Sequence, residues 1–230
     1  MNKEFKVTAF IDGKEVSEIE ILRKELERAH IALAVLKEKL GHEKIEELLK
    51  DDMAEMDEKL AKAADENNGE LVCSQTTLRV QGLKSAEYFK AFRSFKEDVN
   101  WRAMPEHYLI HDGENGRHII ETCGCWDKPV NMYGRFLATD ETAPEQVRAI
   151  RDAENYPILN YINCPLNLRP DVSIIAYHQF KDTEDGLEVR TAVFFPKGVD
   201  QEMVEGHKWH LAIEWGNWAR AAYNSVHAND

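Results

Sequence analysis

Residues 199–226 read VDQEMVEGHKWHLAIEWGNWARAAYNSV, with no Pro among them, and their periodicity predicts one long helix. Asp200 can cap it, and Gln201 and Glu202 suit a first turn. At 100° per residue, Met203, His207, His210, Glu214, Asn217 and Ala221 share one arc, with Leu211 and Trp218 on one flank and Ile213 on the other. Glu205, Lys208, Ala212 and Ala219 lie opposite, so the charges that want water already have a face of their own. Two imidazoles and a carboxylate therefore fall on the side predicted to be buried, where an ionisable group is costly unless paired, neutralised or bound to metal. His210 and Glu214 have the i, i+4 spacing that lets two side chains grip one ion. The same spacing also serves a plain hydrogen bond on a helix surface. A third and a fourth ligand would have to come from elsewhere.

The stretch that can supply them is HYLIHDGENGRHIIETC, residues 107–123. Asn115 and Gly116 signal a hairpin, and Gly116 in the left-handed conformation suits a three-residue loop with a bulge. In that register Gly113 faces Arg117, His111 faces Ile119, Leu109 faces Glu121 and His107 faces Cys123. His107, His111 and Glu121 then share one side of the sheet, and a slip of one residue would send the glutamate to the other. Ordinary cross-strand polar pairing on a wet sheet face would leave the same pattern.

Around these stretches, residues 71–80 read as a strand and 85–95 as a short helix with Tyr88, Phe89 and Phe92 inward. Residues 129–136, 172–181 and 186–196 read as further strands, 143–152 as a short helix, and 160–170, with Cys164, Pro165 and Pro170, as an irregular crossing. This order predicts an α+β helix-grip architecture, in which a curved antiparallel sheet wraps the long terminal helix and leaves a cavity between them.

Residues 4–16 alternate around Asp12 and Gly13, predicting a short hairpin in which Phe5, Val7 and Ala9 meet Val16. Ser17 and Glu20 form a capping box for a helix that carries Ile19, Leu22, Leu26, Ile31, Leu33, Leu36 and Leu40 on its apolar side and ends at Gly41. A second helix spans about 42–65, with Ile45, Leu48, Leu49, Met53, Met56 and Leu60. The pair reads as a helical hairpin with dense charge and a narrow stripe, suited to a homodimer interface over residues 17–66 or to packing on its own domain. The turn-rich 64–70 sets a boundary between an N-terminal unit, 1–68, and a main domain, 69–230.

With 43% hydrophobic residues in 230, the chain can bury a substantial core. A formal charge of -13 argues against nucleic acid or an anionic membrane as partner. The four cysteines, Cys73, Cys123, Cys125 and Cys164, contain no CxxC pair, and a reduced, cytoplasmic setting is the simplest account of them. The first residues have no apolar signal region and no run approaches ~18 apolar residues, so neither a signal peptide nor a membrane span is expected.

The strand LEVRTAVFFP, residues 187–196, followed by His210, Glu214, Asn217 and Ala219 on the terminal helix, resembles the C-terminal signature of the zinc-dependent diacetylphloroglucinol hydrolase and phloretin hydrolase family. The resemblance covers mainly residues 100–225. It implies a Bet v 1-like helix-grip fold, a zinc ion held by two His and two Glu, and hydrolysis of the carbon–carbon bond joining an acyl group to a phenolic ring. His210 and Glu214 match the helix ligands, and Glu121, in the strand IIE followed by TCG, resembles the strand ligand. The family's approach to its first His is reduced here to NWRAMP, residues 100–105, with no His at the comparable spot, and His111 or, alternatively, His107 is the substitute taken from the hairpin register. Zinc suits such a donor set, with manganese or iron as alternatives. A small acylated aromatic is then the expected substrate. His178, His207 and Tyr108 are the candidate proton donors or orienters, and Trp101, Trp126, Tyr133, Trp215 and Trp218 the candidate pocket walls. A metal-free ligand carrier on the same fold, an assembly protein acting through residues 17–66, and a thiol enzyme using Cys123 or Cys125 are the rival readings.

Overall fold

The computed structural model describes residues 8–124 and 128–228. A short antiparallel hairpin, β1 (Ala9–Ile11) with β2 (Lys14–Val16), is followed by the helical stretch α1 (Glu18–Glu66). Phe5 and Val7 of the expected hairpin lie outside the described residues. The capping box is formed as expected: the Ser17 side chain accepts from the Glu20 backbone N–H, and Glu20 accepts from that of Ser17. Gly41, at φ 70° and ψ 170°, breaks α1 where the sequence predicts one helix to end. A single residue separates the two segments, shorter than the two- to five-residue loop of a helical hairpin, so they meet at a kink.

Beyond α1 come β3 (Leu71–Gln81), α2 (Ser85–Phe92), α3 (Glu97–Ala103), β4 (His107–Gly113), β5 (Gly116–Glu121) and β6 (Val130–Leu137). Then follow α4 (Glu145–Arg148), β7 (Ile158–Pro165), β8 (Ser173–Asp182), β9 (Gly186–Pro196) and the long α5 (Gln201–Val226). The irregular crossing expected over 160–170 is in fact mostly strand: β7 pairs with β8 from Ile158 to Pro165, because Pro165 stands at the strand end, where its missing N–H costs no ladder bond.

Strands β3 to β9 form one antiparallel sheet in the order β3-β9-β8-β7-β6-β5-β4, and α5 packs across it, which is the expected helix-grip arrangement. Strand β9 shows why its sequence turns hydrophobic. Its odd residues, including Leu187, Val189, Val193 and Phe195, join the core under α5, while Ala192 and Phe194 pack on the other face with Val147 of α4 and with Tyr161 and Tyr177. A strand covered on both faces loses the alternation of a half-wet one.

Two departures from expectation lie in the β4–β5 hairpin. Gly113 pairs with Gly116, leaving a two-residue loop, Glu114 and Asn115, in place of the expected three-residue one. Gly116 has φ +116°, and a Cβ there would stand 2.7 Å from the Gly134 carbonyl oxygen of the neighbouring strand, so a side chain has no room. The register therefore moves by one: His111 faces His118, Ile110 faces Ile119 and Leu109 faces Ile120. A bulge at Tyr108 then sets His107 opposite Glu121.

The buried arc of α5 is also rotated from the expected one. Trp215, Ala219 and Ala222 are buried with Met203, His207, His210, Leu211, Glu214 and Trp218, while Ile213 is 40% exposed. No described helix is long and apolar enough to cross a membrane.

Candidate metal centre and its cavity

Between α5 and the sheet lies a cavity whose walls include Phe92, Ile119, Met132, Trp215 and Trp218. Glu121, His207, His210 and Glu214 also face it, together with His178 from β8. Ile110 and Ile119 line this cavity, whereas Leu109 and Ile120 turn to the opposite face and pack on Ile45 and Met53 of α1. Strict alternation would place His107 with Leu109, on the α1 side. The extra residue at Tyr108 reverses that parity and delivers the imidazole to the inner face.

There His107 is wholly buried, with Nε2 3.2 Å from Glu121 Oε2 and 3.2 Å from Glu214 Oε1. His210 Nε2 lies 3.8 Å from Glu121 Oε2. One ligand atom each from His107, His210 and Glu214 falls within 4.8 Å of the others, and Glu121 stands against both imidazoles.

The outer nitrogens of these rings are committed elsewhere. His107 Nδ1 lies 2.9 Å from the Asn100 carbonyl oxygen, which can only accept, so Nδ1 carries the proton and Nε2 points its lone pair inward. His210 Nδ1 lies 3.3 Å from Glu106 Oε2. That carboxylate also accepts from Thr122 Oγ1 at 2.8 Å and the Gly124 backbone N–H at 2.7 Å. His207 Nδ1 donates to the Cys123 carbonyl at 2.9 Å, and the His207 ring stacks on His210 with centroids 4.7 Å apart. In each case an acceptor outside the cluster sets the tautomer.

This arrangement fits a cation. Neutral His107 presents a lone pair to two carboxylate oxygens, so acceptors converge with no donor between them. Its Nε2 has no well-aligned hydrogen-bond partner among the described residues, nor has that of His207. A proton or a metal ion resolves this. Burial pulls the His107 imidazole down, but Glu121 and Glu214 outweigh it and carry it up to about 10. Burial likewise pulls the His210 imidazole down, but Glu121 and Glu106 outweigh it and raise it above its ordinary value. Glu121 is held well below the usual carboxylate range, against burial, by His210 and His107. By contrast burial drives His207 and His178 down to about 3, so both are neutral.

The backbone that carries the ligands is fixed by close approach. Cys123 has φ 52° and Gly124 φ +82°, and this turn meets α5 at Gly206, where a Cβ would stand 1.8 Å from the Gly124 carbonyl oxygen. Glycine at both positions lets the helix lie directly on the turn that follows Glu121.

Of the expected ligands, Glu121, His210 and Glu214 are brought together, and His107 joins them in place of His111. His111 is turned outward by the one-residue shift of register and stacks on His42 of α1, with centroids 4.4 Å apart. Tyr108, the bulged residue, packs against the Ile45, Met53, Leu109 and Ile120 cluster on the α1 side and is not a cavity residue. Tyr133 also faces outward, stacking on His118 at 4.6 Å, because it pairs with His118 across β5 and β6 and shares its face. Trp101 sits in α3, away from the cavity lining, while Trp126 and Cys125 lie outside the described residues. His178, His207 and Trp218 do line the cavity. Sequence reasoning missed Glu106, which follows Pro105 at the turn into β4, and Asn100, inside α3, which acts through its backbone carbonyl and so leaves no side-chain signal.

No protein-family model matches the chain, and no curated protein matches it. Among solved structures, Ara h 8.0201 aligns with a TM-score of 0.41 and 11% identity, over 70% of this chain and 100% of that one. The di-domain ARO/CYC StfQ from the steffimycin biosynthetic pathway aligns with a TM-score of 0.40 and 11% identity, over 75% of this chain and 56% of that one.

Proposed function

We propose that the protein is a metal-dependent hydrolase that cleaves the carbon–carbon bond between an acyl group and a phenolic ring. The observation that carries this reading is the convergence of His107, Glu121, His210 and Glu214 at one wall of an apolar, aromatic-lined cavity. Those four residues would hold zinc, or manganese or iron, and such an ion would supply a Lewis acid for a ketone oxygen and a water activated near neutral pH.

The chain's own residues supply the rest. Trp215, Trp218 and Phe92 offer flat apolar surfaces for the ring and keep bulk water out. His207, neutral and with its proton fixed on Nδ1, presents an Nε2 acceptor that orients a water molecule toward the acyl carbon. His178 Nδ1 accepts from the Ala192 backbone N–H at 3.3 Å, which places its proton on Nε2. That N–H can donate a hydrogen bond that holds the substrate, while the ring carbon takes its proton from the attacking water as the bond to the acyl group breaks. Water adds oxygen to the acyl carbon and the ring carbon takes a proton, so an acylphenol and water give a carboxylic acid and the free phenol.

The test combines metal analysis with turnover. Purified protein is expected to carry about one zinc per chain and to release carboxylic acid from an acylphenol, and chelation is expected to stop that release until metal is restored. Tight binding of the acylphenol without turnover, by protein that holds zinc, would instead make the chain a carrier and refute the proposal. His178→Gln should keep the zinc and lose turnover.

A further inference from the structure

From Ile19 to Leu40 apolar residues recur at alternating spacings of three and four: Ile19, Leu22, Leu26, Ala29, Leu33, Leu36 and Leu40. Three heptads of this kind are the seam of a coiled coil. The seam is uncovered. Residues 18–29 are exposed throughout, and Leu26 and Leu36 are 58% and 60% exposed. The helix docks on its own domain by a neighbouring face, where Ala34 and Lys37 are buried and Lys37 Nζ donates to the carbonyl oxygens of Pro105 and His107. Twelve exposed residues are too few to hold a helix in water unaided, so the capping box at Ser17 opens a segment that needs a partner.

We infer that residues 22–40 of α1 pair antiparallel with the same residues of a second copy of this chain, centred on residue 31. That register sets Leu22 against Leu40, Leu26 against Leu36 and Ala29 against Leu33 of the other copy, so every layer is apolar and the two-fold axis is satisfied. Charge selects the direction. Before residue 31, Glu18, Glu20, Glu25 and Glu27 outnumber Arg23, Lys24 and Arg28, while after it stand Glu38 and Lys39, with Lys37 turned inward. Antiparallel pairing brings Glu25 opposite Lys39 twice, once on each side of the axis. Parallel pairing would set Glu25 beside His30 and leave Lys39 without an acidic partner. About 19 residues at 1.5 Å each give a seam of about 28 Å, and covering half the flank of a helix ~11 Å across buries roughly 500 Å² per copy. The total of about 1,000 Å² sits at the threshold for a specific interface, which points to a dissociation constant in the micromolar range.

Sedimentation velocity across a concentration series tests this. The intact chain is expected to dimerise at micromolar concentration. Leu26→Glu and Leu36→Glu alter exposed positions, so each should give a monomer with the circular dichroism of the parent domain. Glu25→Lys and Lys39→Glu should each weaken the dimer about tenfold, two symmetric pairs being affected. The double variant should recover to within about twofold of the parent. A chain that stays monomeric at ~100 µM, or a Leu26→Glu protein that still dimerises, overturns the interface. A double variant weaker than either single overturns the antiparallel register.

Discussion

Replacing Gly206 by Ala tests whether the contact between α5 and the turn after β5 positions the site. Helix propensity alone favours the substitution by about 1 kcal/mol, since glycine inside a helix is poor. Geometry opposes it. The new Cβ would stand 1.8 Å from the Gly124 carbonyl oxygen, against an ordinary carbon–oxygen contact of about 3.3 Å, so helix and turn must part by roughly 1.5 Å. The turn is packed as closely from its own side: a Cβ at Gly124 would stand 2.4 Å from the His207 backbone nitrogen. Overpacking of this kind costs about 1–3 kcal/mol. The separation also breaks the buried 2.9 Å bond from His207 to the Cys123 carbonyl, a further loss of about 1–3 kcal/mol. Set against the propensity gain, the net is about 3 kcal/mol of destabilisation, or a fall in Tm of roughly 6–12 °C for a chain of this size. Gly216→Ala is the control: its Cβ would meet only an Arg220 guanidinium nitrogen at 3.8 Å, so propensity should rule and stability should hold or rise. Calorimetry and urea unfolding of both variants read the difference. If Gly206→Ala is as stable as Gly216→Ala, the close approach does not position α5.

Other expectations follow from the same geometry. His107→Ala should abolish zinc binding while His111→Ala leaves it intact, as read by elemental analysis after dialysis, because only the first ring reaches the inner face. Glu106→Gln keeps the shape but weakens the acceptor behind His210, and calorimetric titration should find zinc affinity lowered about 10- to 100-fold. Lys181, Tyr156 and Arg79 hold the Glu188 carboxyl down at about 2 from an ordinary 4.5. A depressed carboxylate stabilises the fold above its unfolded value, and that contribution is lost as pH falls through the folded one. Glu188→Gln should therefore reduce the difference in unfolding free energy between pH 6 and pH 2.5, and an unchanged difference would show that another carboxylate controls acid unfolding.

How much could be read in advance depends on what a one-residue error does. Most of the strands, though not β7, and the long closing helix were legible because each rests on many residues: β9 stays a strand whichever face its odd residues take, since both faces are apolar. His210 and Glu214 were legible for the same reason, helical periodicity being set by the whole of α5. The strand ligand was not, because parity in a strand turns on single residues. The tighter turn at Glu114 and Asn115 moved His111 outward, and the bulge at Tyr108, a residue that reads as ordinary strand, moved His107 inward. Neither event leaves a mark in hydrophobic pattern, yet each carries a side chain across the sheet, about 10 Å. Gly206 did leave a mark. A glycine inside a helix carries a cost, and at Gly206, unlike Gly216, a close backbone approach accounts for it, where α5 meets the turn that follows Glu121. The fold thus follows from averages over many positions, while the candidate site depends on the few places where the chain departs from them.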